Sequence, residues 1–197
     1  MSIAHHTYKT FECEHLVTTS GDLYDRRRWL RPGITVSELL QELASDVAHE
    51  LVCGVPYAAL PIATVMSSKT LTPMLVRRKE AKVYGTKKIL EGVYRENQKC
   101  LIVEDVVTSG GSLLETADTL RGHGLVVADA VVVLDREQGG AGVLRKNGIK
   151  MKSLFTLGEL VKILHKANKI DQRTVEIVLD HINECRFDSN ADKDNFD

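Results

Sequence analysis

The stretch CLIVEDVVTSGGSLLETADTL, residues 100–120, decides the fold. Lys99–Glu104 reads as a buried strand, and apolar residues at helical spacing predict a helix over about Ser112–Gly122. Between them stand two adjacent carboxylates, Glu104 and Asp105, and the loop Thr108-Ser109-Gly110-Gly111-Ser112. Neighbouring acids repel one another and resist burial, so the pair asks for a ligand or a cation beside it. Glycines let a loop turn its N–H groups inward, hydroxyls add donors, and a helix N-terminus carries partial positive charge. On its own such a loop is ordinary turn chemistry. With two acids just before it, the pattern suits a sugar phosphate: amides for the phosphate, carboxylates for the sugar hydroxyls.

Working outward, LVCGVPYAALPIATVM from residue 51 predicts a short strand, a Gly/Pro turn and a small-residue helix. TPMLVRRKE predicts a second strand ending in charge, and KVYGTKKILEG a polar excursion after it. VVADAVVVLDRE is nearly continuous in apolar β-branched residues, as a parallel strand covered on both faces would be. MKSLFTLGELVKILHKA adds a strand and a helix with a Thr156–Glu159 capping box, and Gln172–Glu184 predicts a last helix. Upstream, a capping box at Thr35 and Glu38 predicts a helix start, with Val36, Leu39, Leu40, Leu43 and Val47 as its apolar face.

Strands alternating with helices predict an α/β fold with a central parallel sheet flanked by helices. Ligands of such sheets bind beyond the carboxyl ends of the strands. There this chain concentrates its charge: Arg78-Lys79-Glu80, Glu104-Asp105 and Asp135-Arg136-Glu137. The organisation expected is a divergent N-terminal segment over residues 1–34, a domain over 35–187 and a polar tail over 188–197.

The bulk numbers narrow the function classes. The chain has 197 residues, 26 basic and 27 acidic, for a net charge of −1, so no global field favours nucleic acid or a membrane surface. Cys13, Cys53, Cys100 and Cys185 are far apart with no zinc-like spacing, which suits a reduced, cytoplasmic chain. The loop is not a nucleotide P-loop, because GxxxxGK[ST] is absent, and no GxGxxG follows the first strand. His5, His6 and His15 read as terminal histidines rather than metal ligands. No metal site is read in the chain itself.

The acid pair and its loop resemble the thirteen-residue signature of the type I phosphoribosyltransferases. CGVPYAALPIAT, RRKEAKVYGTKK and VVVLDREQGG are similar to the orotate phosphoribosyltransferases among them, particularly that half of animal bifunctional synthases. The likeness runs from about Val52 to Lys166. It implies the type I phosphoribosyltransferase fold, with 5-phosphoribosyl-1-pyrophosphate and orotate as substrates and Mg²⁺ as cofactor, the ion carried mainly by the pyrophosphate. It also implies a homodimer with shared active sites, and a decarboxylase as a further domain or a separate protein.

Residue by residue, the resemblance places Glu104 and Asp105 at the ribose hydroxyls, with Val106 and Val107 leading into the Thr108–Ser112 loop on the 5-phosphate. Arg78, Lys79 and Lys82 would serve the pyrophosphate, Lys82 from the neighbouring subunit; Lys82, Asp105 and Arg78 are the catalytic candidates. Tyr57 would lie near the pyrophosphate, Tyr84 in the closing loop, and Arg136 on the orotate carboxylate, where a planar fork suits a planar acid. A salt bridge to Asp135 or Glu137 is the alternative for Arg136.

The sequence departs from the family at Val83, usually Asp, and at Ala58, often Lys in bacterial relatives. The N-terminal hood over the base survives only as an echo at Ser20-Gly21, with Thr19 in a lysine's place. These departures leave two other readings open: a catalytically weak binding module on the same fold, and a transferase for another base.

Overall fold

A computed structural model describes residues 32–80 and 89–186. The chain runs α1 (Pro32–Leu43), β1 (Leu51–Gly54), α2 (Leu60–Thr70), β2 (Met74–Arg77), β3 (Leu90–Glu91), β4 (Cys100–Val107), α3 (Gly111–Gly122), β5 (Asp129–Asp135), α4 (Gly140–Lys146), β6 (Lys150–Thr156), α5 (Leu157–Lys166) and α6 (Gln172–Glu184). One sheet has the order β3-β2-β1-β4-β5-β6. All its pairings are parallel except β2 with the two-residue β3.

Side-chain alternation divides the apolar residues of β4 between two cores. Cys100 and Ile102 join Leu113, Ala117 and Leu120 of α3 and Leu144 of α4 on one face. Leu101 and Val103 join Leu40 of α1 and Ala63 and Met66 of α2 on the other. Covered on both faces, the central strand has no use for polar residues until it leaves the core at Glu104. Burial pushes the Cys53 thiol up to about 11, and raises that of Cys100 as well. Both therefore stay neutral thiols packed as small hydrophobes.

Several local predictions hold. The Thr156 hydroxyl accepts the Glu159 N–H at 3.2 Å, and the Glu159 carboxylate accepts the Thr156 N–H at 3.0 Å, so the capping box of α5 forms. The last helix spans Gln172–Glu184, as read, with Asp171 accepting the Thr174 N–H at its start. Others need correction. α1 begins at Pro32, so Thr35 lies inside the helix and is not its cap; proline's fixed φ suits a first helical position. Val47 lies past the end of α1 yet still packs on its core.

β4 extends three residues beyond the predicted Glu104, because β5 continues to pair with it through Val107 and Asp135. The strand β3 and the helix α4 were not foreseen. Two residues are too few to show a period, and GAGVLRK carries little helical signal before its last turn.

Ile102, fully buried at the centre of β4, tests this packing. Ile102→Ala should lower unfolding free energy by about 2–5 kcal/mol. Urea denaturation followed by circular dichroism would show it as a lower midpoint with an unchanged slope.

Candidate active site

The parallel strands bring their carboxyl ends to one edge of the sheet. From β1 the chain builds outward to β2, then returns to the other side of β1 with β4. This reversal opens a crevice between β1 and β4, the usual ligand position in doubly wound folds. The two strands stop at different heights: Gly54, the last residue of β1, pairs with Val103, while β4 runs on to Val107. Val55 adds one more bond, its N–H donating to the Val103 carbonyl at 2.9 Å. Beyond it, Glu104–Val107 flank the crevice on the β1 side.

Glu104 is only 6% exposed, Asp105 is half-buried and Val106 is open to solvent. Burial is the main cause that pushes the Glu104 carboxyl up to about 8; a hydrogen bond and charge repulsion from Asp105 add to it. The Asp105 N–H, which donates to Glu104 Oε1 at 3.0 Å, and the nearby Lys79 oppose the rise. A proton on Glu104 thus relieves the repulsion between two adjacent acids.

The loop after β4 is shaped from below. Gly110 caps α3 at φ 86°, a conformation that disfavours a β-carbon. The first helical bond of α3 runs from the Leu114 N–H to the Gly110 carbonyl, leaving the amides of Gly111, Ser112 and Leu113 without helix partners. Thr108 is held by the Gly140 N–H, which donates to its carbonyl at 2.9 Å. A β-carbon on Gly140 would come within 2.5 Å of that oxygen and 2.6 Å of Val107 Cγ1, so only glycine lets α4 approach so closely. Free amides, the hydroxyls of Thr108, Ser109 and Ser112, and the positive end of a 12-residue helix make this loop suited to an anion.

From the β2 side come the basic residues. Arg77 is 3% exposed; its guanidinium pairs with Glu115 of α3 and donates to the Thr119 hydroxyl at 3.1 Å. This contact reaches past β1 and ties the basic strand end to the helix that carries the loop. Arg78 pairs with Glu91 of β3, its Nε 2.8 Å from Oε1. The Lys79 ammonium sits 5.2 Å from the centre of the Tyr57 ring, which projects, 63% exposed, from the loop after β1.

On the β5 side, the Arg136 N–H donates to the Val107 carbonyl at 2.9 Å. Its guanidinium forms no ion pair with Asp135 or Glu137 and no hydrogen bond to any described residue. Asp135 and Glu137 bind backbone amides instead. Burial is the chief cause that raises the Asp135 carboxyl above its usual range.

The structure therefore brings Tyr57, Lys79, Glu104, Asp105, Val106, Val107, Thr108, Ser109, Gly110, Gly111, Ser112 and Arg136 to one edge, with Arg78 beside them. Lys82, Val83 and Tyr84 of the excursion lie outside the described residues, as do Thr19, Ser20 and Gly21. The supports that sequence reasoning missed are Arg77, Glu115, Gly140 and Glu137. Arg77, Glu137 and Gly140 lie within the quoted stretches RRKEAKVYGTKK and VVVLDREQGG, but nothing local in the sequence gives their partners. A cavity of about 430 Å³ lined by His49, Lys99, Lys150 and Lys152 lies at the opposite edge, where the strands begin. Among the described residues no three His, Cys, Asp or Glu side chains converge on a cation position. The two adjacent carboxylates fit an ion held mostly by phosphates and water.

This is a doubly wound α/β protein with a loop suited to an anion at its switch point. The chain belongs to the phosphoribosyl transferase domain family, whose pattern matches residues 34–153. It is 48% identical over 161 residues to uridine 5'-monophosphate synthase of Bos taurus, which covers 80% of this chain and 34% of that protein. It is 43% identical over 140 residues to orotate phosphoribosyltransferase of Caenorhabditis elegans, covering 71% of this chain and 62% of the relative. The chain thus spans less than two thirds of the length of either. Among solved structures it is similar to Mycobacterium tuberculosis H37Rv orotate phosphoribosyltransferase in complex with 5-phospho-alpha-D-ribosyl 1-diphosphate. There the TM-score is 0.58 at 28% identity, covering 73% of this chain and 84% of that one.

The Glu104 carboxyl makes stability depend on pH with a definite sign. Its folded value of about 8 exceeds its ordinary 4.5, so between them the folded state holds a proton that the unfolded state lacks. Stability should fall as pH rises through that window. Glu104→Gln should remove this part of the slope; equal slopes for both proteins in urea titrations from pH 4.5 to 8 would contradict the assignment.

Proposed function

We propose that this chain is an orotate phosphoribosyltransferase. It transfers the phosphoribosyl group of 5-phosphoribosyl-1-pyrophosphate to orotate, giving orotidine 5'-monophosphate and pyrophosphate in UMP synthesis. One observation carries the reading: the acid pair, the amide-lined loop and an Arg136 with no side-chain partner among the described residues meet where β4 outruns β1. The names of the bovine and nematode relatives support it.

In this reading the Gly111–Leu113 amides and the hydroxyls of Thr108, Ser109 and Ser112 bind the 5-phosphate, and Glu104 and Asp105 accept hydrogen bonds from the ribose hydroxyls. Lys79 and Arg78 face the pyrophosphate, with Tyr57 beside them, and Lys82 and Tyr84 close over it. Arg136 takes the orotate carboxylate in a two-pronged hydrogen bond and so orients the ring. The bond from C1 to the pyrophosphate oxygen breaks while that from C1 to the orotate nitrogen forms, and the nitrogen's proton leaves to solvent. Positive charge develops on the sugar and negative charge on the leaving group, so the basic groups stabilise the transition state more than the substrate. Mg²⁺, bound with the pyrophosphate and near Glu104 and Asp105, would supply further neutralisation of the leaving group. The working form is a cytosolic homodimer in which Lys82 serves the neighbouring site. A decarboxylase, joined or separate, consumes the product.

The test is the fall in orotate ultraviolet absorbance on mixing protein, orotate, phosphoribosyl pyrophosphate and Mg²⁺. A fall that needs every component is expected. Asp105→Asn and Lys82→Ala should each lower kcat/KM by about ten- to a hundredfold, since a hydrogen bond to a charged group contributes about 1.5–3 kcal/mol. No fall, with phosphoribosyl pyrophosphate still binding by calorimetry, would leave a binding module in place of an enzyme. A fall only when another base replaces orotate would reassign the acceptor.

A further inference from the structure

Glu137 has no part in the chemistry above, yet its backbone and side chain are both held. It is not a glycine but sits at φ 59°, where a β-carbon crowds the backbone. Such a conformation persists only where its surroundings hold it. Its N–H donates to Asp135 Oδ1 at 2.8 Å. Its own Oε2 accepts the N–H of Gly158 at 2.7 Å, in the first turn of α5. That amide has no partner within the helix, and the positive helix end favours a carboxylate.

The fit is close from both sides. Gly158 is buried, and a β-carbon on it would lie 2.7 Å from Glu137 Oε2. One residue earlier, the Arg136 N–H is bound to the Val107 carbonyl of β4. The backbone on both sides of Arg136 is therefore tied to β4, to Asp135 and to α5, while the guanidinium has no partner among the described residues. A side chain as long as arginine aims accurately only if its backbone is fixed, because its own rotamer freedom is large.

We propose that Glu137 is a positioning residue for the base: by clamping onto the N-terminus of α5 it sets the direction from which Arg136 meets the acceptor's carboxylate. This rests on the orotate reading. Glu137 itself does not touch substrate in this role; it acts through Arg136 and selects for a planar acceptor bearing a carboxylate.

Steady-state kinetics with both substrates tests it. Glu137→Gly relieves the backbone strain while removing the clamp, and Glu137→Gln keeps an acceptor for the Gly158 amide. Glu137→Gly should raise the KM for orotate about tenfold and leave that for phosphoribosyl pyrophosphate within about twofold. Glu137→Gln should restore the KM for orotate to near that of the unaltered protein. Gly158→Ala should displace the Glu137 carboxylate and raise the orotate KM likewise, with little further effect once Glu137→Gly is present. An unchanged orotate KM in Glu137→Gly, a joint rise in both KM values, or a Gln variant as impaired as the Gly variant would each overturn the positioning role alone. An unaltered protein that converts no orotate would overturn the orotate reading and this inference with it.

Discussion

Past the end of β1, strand β4 keeps its pairing with β5 but has no strand partner among the described residues on its other side, from Glu104 to Val107. The rest of the site depends on this mismatch in strand length. A strand covered on both faces cannot carry acids in its core; one that emerges from the core while still hydrogen-bonded along one edge can hold them rigidly beside an open crevice. The same extension delivers the Val107 carbonyl to Arg136 and the Thr108 carbonyl to Gly140. β4 is thus the common reference for Glu104 and Asp105, the Thr108–Ser112 loop and Arg136.

Charge is arranged locally on a chain that is nearly neutral overall. Glu104 keeps its proton near neutrality, Arg78 is paired with Glu91, and Arg77 is buried against Glu115 and Thr119. An ion pair between a buried arginine and an exposed carboxylate contributes little net stability, because desolvation of the one and solvent screening at the other offset its attraction. Here it fixes where β2 stands relative to α3, which separately carry the basic strand end and the loop. Lys79 and Arg136 form no ion pair among the described residues, although Lys79 lies near enough to Glu104 to act on its charge. Those are the groups that an anionic sugar phosphate and a carboxylated base require.

Much of this was legible in the sequence. The β4 stretch, the two-sided apolar pattern of β5, the capping box of α5 and the bounds of α6 follow from period and capping chemistry, which are local. The acid pair and its loop were legible because adjacent carboxylates before a glycine turn conflict with simple burial. What was not legible depends on distant partners. The length of β4 is set by β5, β3 exists only by pairing with β2, and Arg77 reads as one more surface charge until α3 lies across it. Glu137 reads as a neighbour for Arg136, whereas the fold gives it to Gly158 across 21 residues. The resemblance supplied roles for Lys82 and Tyr84, which lie outside the described residues.

The most direct measurement is a titration of ¹⁵N-labelled protein with Mg²⁺ and phosphoribosyl pyrophosphate, following backbone amide resonances. Saturable shifts should concentrate at Glu104–Leu113 and around Lys79, with the residues of the opposite edge unmoved. Shifts concentrated instead at His49, Lys99, Lys150 and Lys152 would put the ligand at the other end of the sheet and contradict the site described.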